Sequence, residues 1–490
     1  MNIRNSVGLK SLLFENKTTK QTIFKNTFWL TLAEVIQKGV GFLIIVWLAR
    51  HFGPAIYGQW AFALSFVALF AVFADFGFST LTVREVARDK SKTSSYIDNI
   101  VAMKLILGLI VMGLIALVIQ FLGKEPQVIK LVYFLGIYVI LNTFGSFFRS
   151  IFRANEKMQY ETVCRVVQSL SLLGLGAFFI LNKGSILTIS YAYIGATFIG
   201  VLSSLALIWR YFSRFFLKLD FKICKEILKE SWPFCLSGVF VTIYFNIDTV
   251  MISIIKNDFW TGIYGSVYNI ELFINSFLGL VCVALFPRIS KDIVNNISKF
   301  KKDYKRIIYF LSIISTPFIL TTLFYSKDIL NFFYGNRFIL GSSIFIVLIL
   351  TLYFSIINNF IGLVIFALNK QKVYMYLLLI SIIFNITGNI LFINLWGALG
   401  AAATTLLSEI LIMVLFCDFI NKHLVKCSII KQNVFPISIY ATLSFLSYLI
   451  FLAYKPHFIL YFLIISIFLI LVIMYYNRRR GFLSETIKIS

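Results

Sequence analysis

Glu34, Lys38, Glu271 and Glu409 are ionisable residues set deep inside long apolar runs, and Asp248 lies about two-thirds of the way across its own. A charge at mid-bilayer costs at least about 2.5 kcal/mol even on lenient insertion scales, so each must face protein or water, and each is a candidate for function. Glu34 and Lys38 are four residues apart with the acid first. That spacing puts them on one helical face where they can neutralise each other. Otherwise Lys38 offers a compact point charge to a multivalent anion. The three carboxylates Asp248, Glu271 and Glu409 lie in a half of the chain whose apolar runs contain no Lys or Arg. They either carry a proton or sit with Na⁺ as coupling groups, or pair with the cation of the other half. Asp75, Lys104 and Arg165 lie nearer the ends of their runs, where they either form packing pairs or line a mouth. Arg84 and Arg88, and likewise Arg149 and Arg153, are one helical turn apart at run ends. They suit headgroup anchoring, or a basic ring that captures an incoming anion.

The elements that must position these residues are membrane spans. Fourteen apolar stretches run over residues 27–49, 58–80, 98–122, 128–149, 162–182, 186–209, 231–254, 261–286, 306–325, 338–366, 375–393, 398–420, 434–453 and 458–476. Each is long enough for the roughly 30 Å of bilayer hydrocarbon. Of the 45 basic residues, 34 fall in the two termini and the even-numbered gaps and 7 in the odd-numbered gaps, the rest lying inside spans. The positive-inside rule then makes both termini and the even gaps cytoplasmic. Asp75, Lys104 and Arg165 therefore sit toward the cytoplasmic side, and the net charge of +24 reports topology and anionic lipid, not nucleic acid.

Composition agrees. A chain that is 59% hydrophobic and 13% charged cannot build a water-facing shell, so it is read as an all-α integral membrane bundle. The first span is too long for a signal-peptide core and has no small-residue cleavage site after it, which predicts a retained helix. Six cysteines are scattered with no pair at CxxC spacing, and His51, His423 and His457 occupy separate loops, so no metal site or other cofactor is expected. The longest gap, 210–230, carries Arg210, Arg214, Lys218, Lys222, Lys225 and Lys229 at three- or four-residue spacing. It reads as an amphipathic helix on the headgroups or as a solvated linker.

The chain also repeats itself. Phe52, Ile56, Tyr57 and Gly58 recur as Phe259, Ile263, Tyr264 and Gly265, an offset of 207 residues. Phe152, Asn155, Tyr160 and Gly174 recur as Phe366, Asn369, Tyr374 and Gly388, an offset of 214, and a shorter match pairs Ile194, Gly195 and Ala196 with Leu399, Gly400 and Ala401. Spans 1 to 6 and 7 to 12 thus read as duplicated, pseudo-symmetric six-helix lobes, with two additional C-terminal helices. The expected organisation is a cytoplasmic segment 1–26, an N-lobe 27–209, a linker 210–230, a C-lobe 231–420, a helix pair 434–476 and a cytoplasmic tail 477–490. Because six helices separate the copies, both lobes enter from the same side, leaving a cavity in which alternating access can operate by rocking.

The runs Lys25-Asn26-Thr27, Leu48-Ala49-Arg50-His51-Phe52-Gly53-Pro54, Tyr57-Gly58, Asp75-Phe76-Gly77-Phe78 and Arg84-Glu85-Val86-Ala87-Arg88 resemble the Wzx-type oligosaccharide-lipid flippases. These form the polysaccharide exporter branch of the multidrug/oligosaccharidyl-lipid/polysaccharide superfamily. The resemblance implies transfer of undecaprenyl-pyrophosphate-linked sugar repeat units from the cytoplasmic to the outer leaflet of the inner membrane, for O-antigen or capsule synthesis. An archaeal source would use a dolichol-type carrier instead. It also implies a repeat-unit polymerase and glycosyltransferases as pathway partners. Under it, Lys38, Arg84, Arg88, Arg149, Arg153 and Arg165 become candidates for the pyrophosphate. Sister families leave two alternatives, a lipid II flippase and a small-molecule or drug antiporter.

A membrane enzyme is disfavoured: no Asp-x-Asp exists, and the longest outward loop is about 12 residues. No nucleotide site is visible, since Gly335 to Ser343 lacks the lysine of a phosphate-binding loop. An inside-negative potential favours outward movement of an anionic headgroup by roughly 2.3 kcal/mol per charge per 100 mV. Among 53 Phe and 24 Tyr, some cavity rings could stack on sugars, though most are packing residues.

Overall fold

The computed structural model describes residues 19–212, 216–424 and 457–467, which form helices joined by short turns and loops. The helices are α1 Thr19–Asp75, α2 Phe78–Arg88, α3 Thr93–Phe121, α4 Pro126–Ala154, α5 Met158–Leu181, α6 Ile186–Tyr211, α7 Phe221–Ile255, α8 Asp258–Asn295, α9 Ile297–Tyr334, α10 Ser342–Ala367, α11 Gln371–Trp396 and α12 Ala398–His423. A shorter apolar helix, α13, covers Phe458–Ile467. Among the described residues, eleven helices are long and apolar enough to cross a membrane. Each of the first twelve expected spans lies mostly on helix. The thirteenth, 434–453, lies outside the described residues, as do residues 1–18 and 468–490, the latter taking in the end of the fourteenth span.

Helix ends differ from the span limits where hydropathy and helix part company. Spans 1 and 2 lie on one helical run, α1, broken at Gly53 (φ 77°, ψ 176°) with Pro54 restarting the helix. Only glycine adopts that φ cheaply, and proline is at ease in a first turn. Phe76 and Gly77, both at positive φ, then separate α1 from α2. The basic gap 287–305 proves helical across all but Asn296, because charge stops a membrane span without stopping a helix. In 210–230 the expected amphipathic helix forms only from Phe221 onward and is continuous with the next span as α7; residues 216–220 are non-helical.

By packing, the chain divides into two compact units, Met1–Gly265 and Ser266–Ser490. This boundary follows contacts, whereas the repeat boundary in 210–230 follows sequence. In the first unit the core at the Arg88 end gathers Phe78, Leu81, Ile97, Ile100, Phe147 and Phe152 with Ile208 and Ile227. In the second, α10 is buried along most of its length through Phe345, Leu348, Leu352, Ile356 and Phe360.

A turn of the same form follows α4 and α10, one residue out of register with the 214-residue match: Asn155 is at φ −98° where Asn369 is at φ 58°. After α4, Lys157 N–H donates to Phe152 O and Glu156 N–H to Arg153 O; after α10, Lys370 N–H donates to Ile365 O and Asn369 N–H to Phe366 O. Glu156 (φ 56°) and Asn369 (φ 58°) occupy the left-handed position that ends such a helix. Phe152 meets Tyr160 at 5.9 Å and Phe366 meets Tyr374 at 4.9 Å between ring centroids.

Candidate functional site

The first unit holds a polar cluster built by α1, α4, α5 and α6. Glu161 is fully buried at the start of α5. Its carboxylate takes Arg153 Nε at 2.9 Å and Arg165 Nη2 at 2.7 Å. Arg165 also reaches back to α1, donating to Glu34 at 3.0 Å and to Gln37 at 3.1 Å. Arg149, 5% exposed, donates through Nη1 to Gln168 at 3.2 Å. Gln168 in turn donates to Thr197 at 3.2 Å. The Nε atoms of Arg149 and Arg165 are buried with no hydrogen-bond partner. Three guanidinium groups thus share two carboxylates, leaving the cluster cationic and with spare donors.

Lys38 stands one turn beyond Glu34 on α1. The local Glu34–Lys38 pair does not form; Glu34 is held by Arg165, whose Nη1 donates both to it and to Gln37. Lys38 is exposed and has no ion pair among the described residues. A methyl group added at Gly39 or Gly41 would meet nothing within 4 Å, so the helix is uncrowded beside it.

The remaining basic candidates are tied elsewhere in the first unit. Glu85 on α2 gathers Arg84 at 2.8 Å, Arg88 at 3.3 Å and Lys92 at 3.7 Å. Arg84 also bonds Glu230 on α7 and lies over the Phe234 ring, 5.4 Å from its centroid. Lys104 is fully buried and pairs with Asp75 at 2.8 Å, donates to Ala74 O at 3.3 Å and faces the Phe144 ring at 5.6 Å. Ser79 donates to the same Asp75 oxygen at 2.8 Å. Asp75 and Lys104 therefore form a packing pair joining α1 to α3.

The three acidic candidates do not share one unit. Asp248 lies on α7 in the first unit, buried, and accepts from Tyr264 Oη at 2.9 Å. Glu271 and Glu409 belong to the second unit, 3% and 7% exposed. Asn275 donates to Glu271 at 3.4 Å, and Asn358 donates to Glu409 Oε2 at 2.6 Å and to its backbone carbonyl at 2.9 Å. The Oδ1 atom of Asn358 is buried with no hydrogen-bond partner. Glu161, Gln37, Gln168 and Asn358 escape a reading based on charges inside spans. Glu161 falls one residue outside the 162–182 run, and the other three are uncharged.

A second cluster joins the turn after α3 to that after α7. Lys124 Nζ donates to Ser253 O and to Ser253 Oγ at 2.7 Å each, and meets Asp258 at 3.3 Å. It also sits over the Phe62 ring at 4.7 Å. Beside it α1 crosses α8 very closely. A Cβ on Gly58 would lie 1.7 Å from Asp258 O, and one on Gly262 would lie 1.9 Å from Pro54 O. Gly58 comes from the first copy of the repeated Phe-Ile-Tyr-Gly motif, and Gly262 lies within the second.

Long apolar helices carrying internal charge clusters define a multi-pass membrane protein of transporter fold. A solved structure of the lipid II flippase MurJ in an inward closed conformation superposes with a TM-score of 0.75 at 17% identity, covering 92% of this chain and 98% of that one. Residues 23–293 match the polysaccharide biosynthesis protein family, and 233–391 match the MatE family. The chain belongs to the polysaccharide biosynthesis protein family, in the polysaccharide exporter branch of the multidrug/oligosaccharidyl-lipid/polysaccharide superfamily. It is 23% identical to a protein named as an O-antigen transporter of Shigella flexneri, over 78% of this chain and 93% of that one. It is 21% identical to a protein of Haloferax volcanii named as the low-salt glycan biosynthesis flippase Agl15, over 81% of this chain and 83% of that one.

Proposed function

We propose that the protein is a flippase that carries polyprenyl-pyrophosphate-linked oligosaccharide repeat units from the cytoplasmic to the outer leaflet of the cytoplasmic membrane. It acts by alternating access, with both termini cytoplasmic, in the synthesis of a surface polysaccharide or glycan. Family membership and the names of the O-antigen and glycan relatives support the substrate class. The observation that carries the reading is Lys38. A mid-span ammonium that is exposed and has no ion pair among the described residues is tolerable beside water or an anion, not in hydrocarbon. Arg165 occupies Glu34 and so leaves Lys38 available. Lys38 supplies the point charge for the pyrophosphate, and the Arg149–Arg153–Arg165 cluster supplies a positive field behind it.

Glu271 and Glu409 are the coupling carboxylates of this reading, exchanging H⁺ or Na⁺ while the membrane potential assists the anion outward. Asp248, bound to Tyr264 in the first unit, is left as a packing group.

The test is binding of a radiolabelled polyprenyl-pyrophosphate oligosaccharide to the purified protein. Saturable binding that weakens about ten- to hundredfold in Lys38→Gln, the worth of a hydrogen bond to a charge, is expected. Equal binding by the two proteins contradicts the role of Lys38, and absence of binding across a panel of repeat units contradicts the substrate class. For coupling, Glu271→Gln and Glu409→Gln should each abolish the response of transport to an imposed H⁺ or Na⁺ gradient; an unaltered response in both overturns that role.

A further inference from the structure

We propose that the segment from Phe216 to Trp232 is a docking surface for anionic phospholipid headgroups of the leaflet it borders. It stands independently of the transported substrate.

The segment is fixed to the protein by its backbone, not by its large side chains. Phe216 N–H donates to Asp98 at 2.9 Å and Asp220 N–H donates to Asn99 at 2.8 Å, both on α3. Asp220 then caps α7, accepting from Lys222 N–H at 2.9 Å. With the chain held this way, Phe216, Leu217, Leu219 and Phe221 stand out from the surface, 47% to 85% exposed. Four such side chains in six residues make an apolar patch that water would disfavour.

The first turns of α7 are divided lengthwise. Cys224, Ile227 and Ser231 are buried against the protein. Lys222, Lys225 and Lys229 share the opposite, exposed face at three- and four-residue spacing. Between the two stripes lie Phe221, Leu228 and Trp232, which are exposed. A helix with an apolar flank below a lysine stripe is the pattern that lies along a headgroup boundary, rings in the acyl region and ammonium groups among the phosphates. Trp209 and Tyr211 at the end of α6 and Trp232 on α7 are exposed too, residue types that favour the membrane interface.

Charge selects the lipid. Lys218, Lys222, Lys225 and Lys229 form no ion pair among the described residues. Of the nearby acids, Glu230 is neutralised by Arg84, which leaves Asp220 at the helix cap and Glu226 against four ammonium groups, a net positive charge. The surface is therefore cationic and apolar together, complementary to an anionic phospholipid and not to a zwitterionic one.

The full-length protein in detergent, equilibrated with equal amounts of phosphatidylglycerol and phosphatidylcholine, tests this by native mass spectrometry of retained lipid. Preferential retention of phosphatidylglycerol is expected, falling as salt rises. Each lysine replaced by glutamine should reduce it about fivefold. The triple change Phe216→Ser, Leu217→Ser and Phe221→Ser should lower retention of both lipids while keeping the salt dependence. Equal retention of the two lipids by the unaltered protein overturns the proposal, whatever the variants do. Unchanged phosphatidylglycerol retention in Lys218→Gln/Lys222→Gln/Lys225→Gln/Lys229→Gln also overturns it, as does displacement by millimolar inorganic phosphate, which would mark a simple anion site.

Discussion

Glu161 binds the cationic cluster together. It is fully buried and receives both Arg153 and Arg165, so Glu161→Gln would remove the carboxylate that balances them. Removing one partner of a buried pair costs about 3–5 kcal/mol, and the partial exposure of both arginines places this case at the lower end. The expected result is a clearly lowered midpoint of thermal unfolding in detergent, with Lys38→Gln as a neutral comparison because its side chain is exposed. Glu34 shows why this part of the site was hard to read from sequence. A four-residue spacing to Lys38 is a local signal, whereas Arg165 is 131 positions away. Distance along the chain hides the partner, and the largely buried guanidinium of Arg165 needs acceptors whereas Lys38 can stay solvated.

Among elements, the crossing of α1 over α8 leaves no room for a side chain. Gly58→Leu would push a branched group into the Asp258 carbonyl, so the helices must separate. Gel filtration of the tagged protein should show loss of the monodisperse peak, while Gly39→Ala, with open space beside it, should leave it unchanged. Next to that crossing, Lys124 ties the α3–α4 turn to the start of α8 through Asp258. Lys124→Met and Asp258→Asn should each loosen this junction. Under alternating access, labelling of a Cys at position 59 by an impermeant thiol reagent from the outer side should rise severalfold in both variants. Unchanged labelling would assign Lys124 to packing alone. The spans themselves were legible because an uninterrupted apolar run of about twenty residues matches the thickness of bilayer hydrocarbon and exceeds what a short buried helix needs. Their ends were not, since α8 and α9 continue through a basic gap that hydropathy excludes from the membrane but not from helix.

At the scale of the molecule, the alternation of basic gaps predicts sidedness. With the natural cysteines removed, Cys placed at Lys90 or Lys222 should react only from the cytoplasm, and Cys placed at Lys183 only from outside. Reaction of positions 90 and 183 from the same side would break the alternation. A few aromatic and glycine matches read as a duplication, and similar turns follow α4 and α10, but the turns align Glu156 with Asn369 where the sequence match aligns Asn155 with it. A Phe and a Tyr meet beside each turn. What sequence could not reveal is how packing divides the chain. Asp248 looked like a companion of Glu271 and Glu409, but α7 packs with the first unit, where Tyr264 holds it.

On the proposed function the chain moves a pyrophosphate-linked oligosaccharide and Lys38 meets its anionic headgroup. The decisive measurement is exposure of labelled polyprenyl-pyrophosphate oligosaccharide at the far leaflet of proteoliposomes, comparing the unaltered protein with Lys38→Gln. Protein-dependent exposure that drops about ten- to hundredfold in the variant at equal reconstitution is expected. Exposure by the variant at the full rate would return Lys38 to the surface of the helix. No exposure by either protein, across several repeat units and with H⁺ and Na⁺ gradients applied, would contradict the flippase itself.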